Sequence, residues 1–139
     1  MNKIFSFKNL IIFLSIVIII GAVVFFHMRK LEKERENQVS SDLRKLRTAI
    51  TLYYQNNNGT YPRELSLSSP FGKYIEKIPT VPKLRPRGKG ATTPAGSQVS
   101  YGIKSPEGYG KGWYYNYETG DIFINSTGLD SENKPYSDY

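Results

Sequence analysis

The chain has no cysteine and a single histidine. The first absence excludes a disulfide framework and a thiolate metal site. The second leaves Ser-His-Asp or Cys-His chemistry with His27 alone, at the edge of a long apolar run. No glycine-rich phosphate loop follows a strand signal, because GYGKGW (108–113) lies in a strand-rich stretch with no helix after it. The acids of the C-terminal tail have no apolar setting that would split the pKa values of a carboxylate pair. These residues point away from an enzyme. A third absence is informative in the other direction: neither proline nor glycine occurs from Ala22 to Asn58.

What is present begins with Leu10–Phe26, LIIFLSIVIIIGAVVFF, an uncharged run interrupted only by Ser15 and Gly21. As a helix it covers roughly 25 Å, close to the ~30 Å of a hydrocarbon core. Phe5, Phe7, His27 and Met28 extend it as interfacial residues. Helix is the expected state, because backbone groups in lipid must satisfy one another. A secretory signal would need a small-residue cleavage site next, and FFHMRKLEKER (25–35) is bulky and then charged. The run reads as a retained single-pass anchor.

Beyond it, Val39, Leu43, Leu46, Ile50 and Tyr53 recur at steps of three and four, which keeps one apolar stripe on a helix. Asp42, Arg44, Lys45 and Arg47 take the other faces. Asn56-Asn57-Asn58-Gly59 is a stop signal, with Gly59 expected as the left-handed cap and Pro62 forbidding continuation. The run RKLEKERE reads as a solvated turn, since its acids roughly cancel its bases. Residues 63–97 are rich in proline, with a short helical turn expected around FGKYIEKI and an irregular loop over VPKLRPRGKGATTPAG. QVSYGI, GWYYNY and DIFIN read as strands, the last two joined by Glu118-Thr119-Gly120 as a hairpin. Trp113, Tyr115 and Tyr117 are expected on one face, with Ile122 and Ile124 opposite, covering the helix stripe. Such an aromatic run also suits a sugar or base platform, but its alternation favours core packing.

The expected architecture is therefore α+β: a long N-terminal helix, transmembrane then amphipathic, packed on a small antiparallel sheet of about three strands. Its parts are a basic leader (1–9), a membrane half (10–28), an amphipathic half (29–58), a loop region (59–97), and the sheet with a polar tail (98–139). Residues 1–103 carry 16 Lys/Arg against 6 Asp/Glu, and residues 104–139 carry 3 against 6. That asymmetry suggests directional contacts between copies or with partners. The loop bases Lys83, Arg85, Arg87 and Lys89 are able to meet phosphate or acidic lipid, but no aromatics interleave for base stacking, so no specific nucleic acid is expected. Charge leaves the topology ambiguous: Lys3 and Lys8 precede the span, Arg29, Lys30, Lys33 and Arg35 follow it, and counting Lys and Arg alone would put the C-terminal side in the cytoplasm. Asn58-Gly59-Thr60 and Asn125-Ser126-Thr127 match the glycosylation sequon, a pattern short enough to arise by chance.

The half-membrane, half-amphipathic helix followed by a small sheet resembles the type IV pilins and the major pseudopilins of type II secretion. The residues carrying the likeness are DLRKLRTAITLYYQNNNGTYP (42–62), GWYYNYETGDIFIN (112–125) and LDSENKPYSDY (129–139). The resemblance implies a fibre subunit of the bacterial inner membrane, with its C-terminal domain in the periplasm and self-association through the N-terminal helix along Leu10, Ile11, Leu14, Ile18 and Gly21. It implies as partners an inner-membrane assembly platform with its ATPase, a prepilin peptidase, and membrane lipid. Processing and methylation would fall at Ser6–Phe7. There the chain departs from the family, with serine in place of glycine, Ile11 where a glutamate stands, and no helix-breaking proline. The tail match implies calcium (Ca2+) at Asp130, Ser137 and Asp138, with Asn133 where glycine is common. The other reading is a static membrane-anchored module that uses the basic loop for a polyanion such as DNA.

Overall fold

The structure is a computed structural model that describes residues 7–85 and 91–139. Ser6 of the expected processing pair, the interfacial Phe5 and the loop bases Arg87 and Lys89 lie outside the described residues.

Helix α1 runs unbroken from Phe7 to Asn56, 50 residues. Without proline or glycine after Gly21, nothing in the sequence removes a hydrogen bond from its ladder. It ends as the asparagine cluster requires. Asn58 takes φ 53° and Gly59 φ 71°, and the Gly59 N–H returns to the Tyr54 carbonyl at 3.1 Å. The left-handed residues are thus two, and the first is an asparagine, which tolerates that region better than most side chains.

Three strands follow: β1 (Val99–Gly102), β2 (Tyr109–Asn116) and β3 (Ile122–Ser126), in spatial order β1-β2-β3. The β2–β3 pair is the expected antiparallel hairpin, with Trp113 opposite Ile124 and Tyr115 opposite Ile122. The expectation of a wholly antiparallel sheet is corrected, because β1 runs parallel to β2. Parallel pairing normally needs a return path of about a dozen residues. Here β1 pairs only with the C-terminal half of β2, from Val99↔Trp113 to Gly102↔Asn116. Residues 103–112, including the first half of β2 itself, therefore serve as that path. The register with β3 shifts between Tyr109 and Trp113. Gly112 sits in this bulge at φ 70°, where a Cβ would come within 2.2 Å of the Gln98 carbonyl oxygen. Only glycine fits both constraints.

The stripe on α1 and the inner face of the sheet form one core. Val39, Leu43, Leu46, Ala49 and Ile50 are buried with Trp113, Tyr115, Ile122 and Ile124, and Leu65, Phe71, Val81, Leu84 and Tyr136 close the edges. Each buried Val, Leu, Ile or Phe among them contributes about 1.5–3 kcal/mol by leaving water. The Trp113 indole N–H donates to the Pro79 carbonyl at 2.7 Å, which satisfies its polar end. Tyr117 does not join this face; it lies beyond the end of β2, 43% exposed. Tyr53 is half-buried, its ring 5.6 Å from that of Tyr74. The expected helical turn is a 3-10 segment, Pro70–Lys73, capped by the Ser69 hydroxyl. The described residues of the loop before β1 form two backbone bridges, Val81↔Gly96 and Leu84↔Thr93.

Candidate functional site

Two regions of α1 stand out as candidates. The first is its apolar start. Every residue from Phe7 to Lys30 is exposed. The most apolar stretch of this helix is long and apolar enough to cross a membrane, and none of it is buried by the rest of the chain. Phe7 is 75% exposed and Ile18 70%. Leu10, Ile11, Leu14, Ile18 and Gly21 fall within an arc of about 100° at 3.6 residues per turn, so they share one face. Nothing lies within 4 Å of where a Gly21 Cβ would be, which leaves room for another helix to approach closely. The Ser15 hydroxyl donates to the Ile12 carbonyl at 2.8 Å, so the one polar side chain of the run is satisfied within the helix.

The second region is the seam where the tail meets α1. Glu36 is buried, and its carboxylate accepts the Ser131 N–H at 2.6 Å and the Ser131 hydroxyl at 2.5 Å. One turn earlier, Lys33 Nζ lies 2.5 Å from Glu132, whose bond raises the ammonium pKa. Further along, the Arg47 guanidinium donates to the Tyr139 carbonyl at 2.6 Å and to Ile122 at 3.3 Å. Burial lowers its pKa, partly offset by Asp121. Sequence reasoning missed Glu36, placing it in a solvated charge run. A signal was available, since Glu36 precedes Val39 by three and Leu43 by seven and so stands on the core stripe itself.

Asp130, Ser137 and Asp138, the residues expected to hold calcium, have other partners here. Asp130 Oδ1 accepts the N–H groups of Glu132 and Lys134 at 2.7 and 2.8 Å, and Oδ2 accepts the Tyr139 hydroxyl at 2.8 Å. Burial pushes the Asp130 carboxyl up, and these hydrogen bonds outweigh it, so the net shift is downward. Burial, and then the same contact, push Tyr139 up. Ser137 is exposed and donates to Asp138 at 3.0 Å. Calcium takes six to eight oxygens. Asp130 Oδ1 already closes the 130–134 turn and Oδ2 holds the Tyr139 hydroxyl, and among the described residues no group of three or more His, Cys, Asp or Glu is placed to hold a metal. As arranged, this donor set does not fit the ion. Asn133 takes φ 65° in that turn, which is the conformation a glycine there would supply.

Phe7, the described member of the processing pair, is the first residue of α1. Comparison with family models, curated proteins and solved structures finds no match to this chain.

Proposed function

We propose that the chain is a structural subunit of a pseudopilus or type IV pilus-like fibre, serving protein secretion of type II, with no enzymatic activity of its own. In this reading the protein waits in the bacterial inner membrane with the sheet domain in the periplasm. A platform and ATPase then move it into a fibre, where Leu10–Phe26 exchanges lipid for the helices of neighbouring copies. The observation that supports it is the unbroken α1, bare and apolar over its first half and packed into a domain over its second. A membrane anchor alone needs no rigid continuity between span and domain, whereas a fibre that stacks domains around a helical core does.

Single cysteines placed along residues 10–30 test this, since the chain has none to confuse the result. Cross-links between copies, together with a mature chain that starts at methylated Phe7, are the expected outcome. An intact Met1 and no cross-linking would overturn the fibre reading in favour of a static membrane-anchored module.

A further inference from the structure

Arg85, one of the loop bases singled out by the sequence, lies beside the place where α1 leaves its apolar run. Phe25, Met28, Arg29 and Glu32 form one wall of an open cleft of about 480 Å3, and Arg85, Ser131 and Glu132 form the other. Arg85 is set there by its neighbour. Leu84 is buried, and its N–H and carbonyl are both paired with Thr93, at 3.1 and 2.9 Å. Thr93 in turn shares a buried 2.6 Å hydrogen bond with Ser126. On the helix side, the Arg29 guanidinium carbon lies 4.3 Å above the Phe25 ring.

The acids at the rim are already engaged. Glu32 accepts from Arg35 at 2.9 Å, and Glu132 from Lys33 at 2.5 Å. Arg29 and Arg85 have no carboxylate partner among the described residues. The cleft thus joins an apolar floor, Phe25 and Met28, to two guanidinium groups without a carboxylate partner among the described residues. It sits at the depth where a membrane-spanning α1 emerges.

We infer that this cleft binds the phosphate headgroup of an anionic phospholipid from the bilayer that α1 spans, an inference that rests on the membrane-spanning reading. Guanidinium groups match phosphate oxygens in a planar fork. Phe25 and Met28 cover the start of an acyl chain, and cations just outside a span are drawn to anionic leaflets. Free phosphate would use the arginines and leave the apolar floor bare. A nucleic acid would need several stacking faces, and Phe25, with Arg29 over one side of its ring, is the one aromatic residue among those lining the cleft. The bound lipid holds the loop side of the domain against the membrane until the subunit leaves it.

The test uses the full chain in detergent micelles, titrated with phosphatidylglycerol and with phosphatidylcholine of the same chain length, with bound lipid counted by native mass spectrometry. Flotation with phosphatidylcholine vesicles reads membrane insertion separately. Phosphatidylglycerol is expected to bind more tightly. The paired changes Arg29→Gln and Arg85→Gln should weaken it roughly thirtyfold, about fivefold per basic residue near an anionic surface, without altering flotation or circular dichroism. Equal affinity for the two lipids, or an unchanged affinity in the double variant, would overturn the assignment. So would displacement by millimolar inorganic phosphate or by a short oligonucleotide, each of which would reassign the cleft. Failure to float would instead remove the membrane-spanning reading on which it rests.

Discussion

The two halves of α1 are one continuous helix with opposite surroundings. From Phe7 to Met28 the large apolar side chains are exposed, while from Val39 to Ile50 the stripe is sealed under Trp113, Tyr115, Ile122 and Ile124. Backbone propensity does not distinguish them. The difference is what the rest of the polypeptide supplies: the second half has a sheet to lie on, and none of the most apolar stretch of the first is buried by the described residues. A helix hydrophobic all round belongs in a membrane or a larger assembly, and one with a single stripe belongs on a domain. The changeover falls in RKLEKERE, where Lys33 and Glu36 already reach the tail.

The sharpest way to break this comparison is to delete the same atoms from each half. Leu46→Ala should cost the domain about 2–5 kcal/mol, the cost of a cavity in a packed core. Leu14→Ala should leave the denaturant midpoint of the domain where it was. Chemical denaturation of the full chain in detergent, followed by Trp113 fluorescence, reads both. Equal losses would mean that the first half also packs on the domain.

Glu36→Ala probes the boundary. It leaves the Ser131 N–H without its acceptor, at a cost of about 1–3 kcal/mol if that group stays buried. Hydrogen exchange should rise at residues 129–134 more than in β2 and β3. A uniform rise would show that the tail and sheet unfold together.

A smaller effect is the pH response of the tail. The folded-state pKa of Asp130 is depressed below 3.8, so its contribution to stability is complete above that value and is lost as pH falls through the folded value. Tyr139 is shifted up from 10.0, so its contribution is complete below pH 10 and is lost on raising the pH further. Asp130→Asn should therefore lower stability near neutrality and flatten the acid limb of a stability profile measured between pH 2 and 5, so that variant and parent converge at the acid end. The smallest effect concerns calcium: EDTA should leave the thermal midpoint unchanged, because the Asp130 oxygens are already used. A midpoint that falls on chelation and recovers with calcium would restore the tail as an ion site.

Much of this was legible in the residues. The spacing of Val39, Leu43, Leu46 and Ile50 named the buried stripe, and alternation in GWYYNYETGDIFIN named the β2–β3 hairpin and its inward residues. Tyr117 was misplaced because alternation does not say where a strand stops. The parallel β1 was hidden because its return path borrows residues 109–112 from β2, which local pattern cannot reveal. Glu36 was read by its charge and not by its phase.

By itself, then, the sequence determined that an uninterrupted helix would carry an uncharged apolar run followed by a one-sided stripe, since both follow from residue order and the helical period alone. Tertiary structure decided what met that helix and where: β1 parallel to β2, Ser131 on Glu36, Asp130 turned inward to its own loop, and Arg85 beside Arg29. Those pairings join residues far apart in the chain. They depend on how a covering sheet and tail close over the stripe, and no local pattern encodes that closure.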